Sequence, residues 1–106
     1  MIRVDWDQYS SKRKVSTGTD IELLQRAVKG VTLDIGCGIG KHLAMLDNVV
    51  LKVGIDAGLA GLQMGKLMFP NLTLICCSVY QLPFKSATFD SAVMMDGWHF
   101  MLIPKS

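Results

Sequence analysis

VTLDIGCGIGKHL, residues 31–43, packs three signals into one short stretch. Val31 to Ile35 is an apolar run interrupted by one acid, Asp34, which suits a short buried strand. Gly36, Gly38 and Gly40 then alternate with Cys37 and Ile39. Glycine tolerates positive φ and lets a ligand come close to the backbone without a Cβ in the way. Lys41 to Leu46 follows as a helix, whose first N–H groups and positive dipole end favour an anionic ligand group. A strand, a glycine turn and a helix in that order form the first half of a βαβ unit.

Reading outward from this turn, the rest of the chain repeats the alternation. Thr19 or Asp20 caps a helix over Ile21 to Val28, and Gly30 stops it. Val49 to Ile55 is a second strand. Leu59 to Met68 is a second helix, weakened by Gly61 and Gly65 at up to about 1 kcal/mol each. Leu72 to Cys77 is a third strand and Ser91 to Met95 a fourth, with QLPFKSATFD, residues 81–90, as the loop between them. GWHFMLIP, residues 97–104, reads as the start of another helix, cut short by Pro104. Strands separated by helices predict a parallel sheet with right-handed crossovers. Their near-continuous apolar runs predict cover on both faces. The fold class is therefore α/β, a Rossmann-like doubly wound parallel sheet, truncated after the fourth strand. Residues 1–18 read as an irregular N-terminal segment and residues 19–106 as the ligand-binding domain, incomplete at its C-terminal side.

The ligand is narrowed by spacing. A dinucleotide turn reads G-x-G-x-x-G, but here Lys41 takes the place of the third glycine and the pattern is G-x-G-x-G. A P-loop needs G-x-x-x-x-G-K-[ST]; Gly40-Lys41 is followed by His42, and the glycine spacing is one residue short. Asp34 belongs to neither motif, and its plausible target is a cationic or amino group at the turn. Asp56 ends the second strand, twenty residues after Gly36. An acid there can accept both hydroxyls of a ribose, or cap the helix that starts near Leu59. Turn and acid together specify an adenosine-type ligand carrying an amino acid or a phosphate.

Taken together, LDIGCGIGKHL, VGIDAGLAGL and CCSVYQLPFKSATFDSAVMMDGWHF resemble the class I S-adenosylmethionine-dependent methyltransferases. The chain is most similar to the type 11-like group, which carries LD-G-G-G, then G-D-S, then LPF…FD. The resemblance covers roughly residues 30–102. It implies that Asp34, Gly36, Cys37, Gly38 and Gly40 form the loop around the methionine part of the cofactor, with Asp34 near its amino group. It implies that Asp56 holds the ribose and that Ala57 and Leu59 wall the adenine. Ser78 stands where the family often has an Asp that accepts from the adenine amino group, and the Val79 backbone would read the adenine edge. Leu82-Pro83-Phe84 and Phe89-Asp90 either shape the site loop or simply pack. His99 matches a family histidine and is the weak candidate for a substrate-facing base; the catalytic residues are otherwise unknown. Cys37 is a small packed side chain rather than a nucleophile. The activity implied is methyl transfer to an unidentified acceptor. The alternatives are a catalytically inactive S-adenosylmethionine or S-adenosylhomocysteine-binding module, or a truncated fragment. A dehydrogenase is disfavoured by Lys41.

Composition sets outer limits on function. Half of the 106 residues are apolar and 19% are charged, which is enough for a globular core. A net charge of +2 does not indicate nucleic acid, and Lys12-Arg13-Lys14 reads as a solvated loop. Cys37, Cys76 and Cys77 form neither a disulfide framework nor a zinc motif, so no metal is expected. Free thiols fit a cytoplasmic location. Met1 to Tyr9 lacks the apolar core of a signal peptide, and no apolar run approaches the ~20 residues of a membrane span. Since the family's sheet continues beyond a fourth strand, the apolar strand over residues 89–95 is expected to be an open edge. Its expected partner is a second copy of the chain or a separate C-terminal chain.

Overall fold

The computed structural model describes residues 2–3, 14–16, 24–26, 28–84, 88–96 and 99–102. The strands are β1 (Ile2–Arg3), β2 (Lys14–Ser16), β3 (Gly30–Ile35), β4 (Val49–Asp56), β5 (Thr73–Cys76), β6 (Gln81–Leu82), β7 (Ser91–Asp96) and β8 (His99–Leu102). The helices are α1 (Lys41–Ala44) and α2 (Leu59–Met68), and residues 24–26 form a helical turn ahead of β3.

β3 sits between β7 and β4, and its side chains are buried toward both faces. Leu33 and Ile35 point to one face, Thr32 and Asp34 to the other, and all four are buried. The two faces carry separate cores. On one, Leu33, Ile35, Val53 and Ile55 pack with Leu82. On the other, Val93 packs with Leu43, Leu46, Leu72, Leu24 of the helical turn and Val28 just after it. Burial on both faces is the condition under which parallel strands are stable.

The order across the main sheet is β2-β8-β7-β3-β4-β5. β7, β3, β4 and β5 run parallel, so the expected Rossmann-like sheet of four parallel strands is present. The chain leaves β3 toward β4 and β5, then returns to β7 on the other side. That reversal makes β3 a topological switch point, and ligands in open α/β sheets bind at the carboxyl ends of strands there.

Two expectations are corrected. Residues 97–104 do not begin a helix at His99–Leu102, which instead turns back as β8, antiparallel to β7. The apolar β7 is consequently not an open edge: β8 covers it, and β2 pairs antiparallel with β8 in turn. A row of unpaired N–H and C=O groups on β7 is satisfied locally. Two short strands also fall inside the segment read as irregular, β2 and β1, the latter pairing with β6.

Short helices need their ends tied down. Asn48 Nδ2 donates to Val28 O at 3.0 Å and also to Gln25 O, closing the helical turn before β3. Lys52 Nζ donates to Ala44 O at 3.0 Å, placing a cation on the carboxyl end of α1. Among the described residues, no helix is long and apolar enough to cross a membrane.

Candidate functional site

The turn after β3 is built by backbone hydrogen bonds onto β4. Gly36 N and Cys37 N both donate to Ile55 O, at 2.8 and 2.9 Å. Gly40 N then donates to Cys37 O at 2.9 Å. The chain can close this tightly because Gly36, Gly38 and Gly40 have φ of 76°, 59° and 87°, which L side chains rarely adopt.

The three glycines do two different jobs. A Cβ built on Gly36 or Gly38 would meet no heavy atom within 4 Å, so both border open space. A Cβ on Gly40 would come within 2.5 Å of Leu72 Cδ1. Gly40 thus lets the turn seat on the core, and Gly36 and Gly38 leave room for a ligand. α1 is a single four-residue turn, shorter than the helix expected over Lys41 to Leu46, so the glycine turn itself carries most of the site's shape.

Asp56 ties this turn to the next strand. Gly38 N donates to its Oδ2 at 2.9 Å, and Gly58 N donates to its Oδ1 at 2.8 Å. The second bond is a local turn contact two residues on; the N-cap of α2 is Gly58 and it has no side-chain cap, so the capping alternative for Asp56 is not what the structure shows. A carboxylate has about four acceptor positions, so both oxygens keep capacity for ligand hydroxyls. Asp56 is only half-buried, and solvent reaches it.

Asp34 is in a different environment. In register across the sheet, Gly54 lies on one side of it and Val93 on the other. Val93 is fully buried, and the Sγ of Cys37 lies over Gly54. Asp34 is 2% exposed, and its Oδ1 has no hydrogen-bond partner among the described residues. Burial, with the nearby Asp56 charge as a smaller cause, pushes its carboxyl up to about 8. An orphaned buried acceptor costs about 1–3 kcal/mol unless something binds it.

Cys37 is half-buried, and its thiol is pushed up to about 12 by burial first, then by Asp34 and Asp56. It stays a neutral thiol and fills the space over Gly54, the packing role expected of it. Burial also raises the Cys77 thiol, with Cys76 as the lesser cause.

The remaining expected residues sit around the same end of the sheet. Ala57 and Leu59 are exposed after β4. Ser78 is exposed after β5, and its Oγ accepts from Tyr80 N at 3.1 Å, a local turn contact that occupies one acceptor position. The side chain of Val79 packs on the core below. His99 starts β8 in register with Asp96, at the carboxyl end of β7. Gly97, Trp98 and the side chains of Asp96 and His99 lie outside the described residues. Among the described residues no three His, Cys, Asp or Glu side chains gather as a metal site.

The FD pair lies elsewhere. Asp90 Oδ2 accepts from Val31 N at 2.8 Å, and Asp90 N donates to Val31 O at 2.9 Å. This is the amino end of β3, opposite the glycine turn. Phe84 and Phe89 meet edge to face with centroids 4.8 Å apart. Leu82, Phe84 and Phe89 belong to the core, so packing is what these residues do. Two glycines that sequence reasoning did not place at the site also shape it. A Cβ on Gly54 would come within 2.6 Å of Cys37 Sγ, and one on Gly65 would strike the Ile39 carbonyl. Their only signal was a glycine inside a strand or helix, which hints at close approach without naming the neighbour.

Comparison with known proteins extends this picture. A family model for methyltransferase domains matches residues 33–106. An uncharacterized protein of Methanocaldococcus jannaschii is 33% identical over 88 residues, which cover 81% of this chain and 34% of that one. This chain therefore spans about a third of that relative's length. Among solved structures, a SAM-bound amino pentose methyltransferase from Micromonospora echinaspora, involved in calicheamicin biosynthesis, superposes with a TM-score of 0.59 at 20% identity. The match covers 91% of this chain and 43% of that one. A sugar N-methyltransferase from a Streptoalloteichus species gives a TM-score of 0.58 at 15% identity, covering 91% and 41%. At these identities the structures speak for the fold.

Proposed function

The chain belongs to the methyltransferase-domain family, and from that premise we propose that its glycine turn binds S-adenosylmethionine for methyl transfer. The observation that carries the reading is the pairing of two features at one switch point. Gly36 and Gly38 border open space, and Asp34, buried just before the turn, has an unpartnered carboxyl oxygen. S-adenosylmethionine is an adenosine joined to an amino acid through a sulfonium. Its ammonium and sulfonium are cations, and the turn presents two carboxyls, Asp34 and Asp56.

The residues fit that ligand. Asp34 would hold the amino group and Gly36 and Gly38 would admit the methionine part. The free acceptor positions of Asp56 would take ribose hydroxyls. Ala57 and Leu59 would lie against the adenine, with Ser78 and the Val79 backbone at its edge. When bound, the cofactor supplies an electrophilic methyl group on sulfur. The protein's own contribution to such a transfer is alignment and electrostatic complementarity. The three thiols are free, which supports a reducing, cytoplasmic setting.

Titration calorimetry with S-adenosylmethionine and S-adenosylhomocysteine tests the proposal. Both are expected to bind the folded protein at one site. Asp56→Ala is expected to weaken binding by about 1–3 kcal/mol, the cost of stranding polar partners. Absence of heat with either ligand would overturn the reading, and unchanged affinity in the variant would remove Asp56 from the site.

A further inference from the structure

We infer that Asp34 carries a proton in the ligand-free protein and releases it when a cationic ligand is seated at the glycine turn, so that binding and proton release are linked. The inference rests on the S-adenosylmethionine reading of the site and adds to it a dependence on pH. It stands first on geometry. The side chain is closed off between Val93 and Gly54, beneath Cys37, at 2% exposure. A bare carboxylate in such a place needs a donor or a cation, and Oδ1 has neither among the described residues.

The titratable groups that act on Asp34 are both unhelpful to a charge. Asp56, from the end of β4, repels it, and the Cys37 thiol, from the turn, stays neutral. β7 sets only Val93 opposite it. Asp34, buried and with no donor on Oδ1 among the described residues, is therefore protonated and waiting. The Asp34 pKa of about 8 agrees with this geometry.

A ligand ammonium changes the balance. The O–H bond of the Asp34 carboxyl breaks, its electron pair stays on oxygen, and the proton passes to solvent buffer. The carboxylate that remains faces the ammonium. The cost of burying the charge is then offset by a paired cation.

Calorimetry at pH 6.5, where an α-amino group is still charged, reads this directly. Titration of S-adenosylhomocysteine in two buffers of different ionisation enthalpy is expected to give release of about one proton per ligand bound. Affinity is expected to tighten about tenfold from pH 6 to pH 7. In Asp34→Asn both the release and the slope should vanish. Because that variant can also lose its fold, a second measurement uses the unaltered protein. Carbon-detected NMR of its aspartate carboxyls should show one group titrating above pH 7, and losing that transition once ligand is added. Binding with no proton release, or release that persists in Asp34→Asn, would overturn the inference alone. Absence of binding by either cofactor form would overturn the reading of the site, and the inference with it.

Discussion

Asp34 connects the site to the stability of the fold. In the folded protein it keeps its proton up to about pH 8, whereas an ordinary aspartate loses it near 3.8. Between those values the folded state binds more protons than the unfolded state, so this group makes stability fall as pH rises. Its contribution is full below about pH 4 and lost above about pH 8. Asparagine at this position cannot titrate. The difference in unfolding free energy between Asp34→Asn and the parent should therefore shift in favour of the variant by about 1 kcal/mol per pH unit between pH 5 and 7. Urea denaturation at three pH values measures this, and parallel curves would mean that Asp34 is ionised in the folded state. That this acid stands out was legible in the sequence, because an apolar strand rarely carries a carboxyl. Its missing partner was not legible, because Val93 and Gly54 reach it from strands far away in the chain. The same holds for Asp56. Its place at a strand end was readable, but its Gly38 N donor arises only once the glycine turn folds onto β4.

At the scale of elements, α2 shows what a pattern tells and what it hides. Periodicity placed the helix at Leu59–Met68, which is where it forms. Its two glycines, Gly61 and Gly65, look alike in sequence, each with a penalty against alanine of up to about 1 kcal/mol. The packing separates them. A Cβ on Gly61 would make ordinary contacts, the nearest at 3.7 Å to the Gly38 backbone, but a Cβ on Gly65 would collide with the Ile39 carbonyl. Gly61→Ala is expected to stabilise by up to about 1 kcal/mol through helix propensity. Gly65→Ala is expected to destabilise by about 1–3 kcal/mol, because backbone must move. It should also weaken cofactor binding, since Ile39 lies between Gly38 and Gly40. Chemical denaturation of the two variants side by side checks the contrast, and equal effects would mean that α2 is free to shift away from the turn. The strand β8 was hidden for a related reason. A short apolar run such as His99–Leu102 is ambiguous between helix and strand by periodicity, and only the unpaired edge of β7 decides the matter.

Across the whole molecule the sheet divides its labour by end. At the carboxyl end, Asp34, Asp56 and the glycine turn leave polar capacity and open space for a ligand. At the amino end two side chains close the strand start: Asp90 Oδ2 accepts from Val31 N at 2.8 Å, while Ser91 Oγ accepts from Lys29 N at 2.9 Å. Gly30, with φ of 65°, leaves its Cβ space to the Asp90 carboxyl. The two ends are separated by the length of β3, about 15 Å at the usual strand rise. Substitutions at such a distance with no shared partners act independently. Asp90→Ala removes a charge-assisted bond to backbone and is expected to cost about 1–3 kcal/mol of stability, with cofactor affinity unchanged within twofold. Asp56→Ala should show the opposite emphasis, with affinity the property most affected. In the double variant the two effects should add. Denaturation and calorimetry on the same four proteins test this together. A loss of affinity in Asp90→Ala would mean that closing the amino end of β3 also sets the position of the glycine turn, and that the sheet works as one lever rather than as two separate ends.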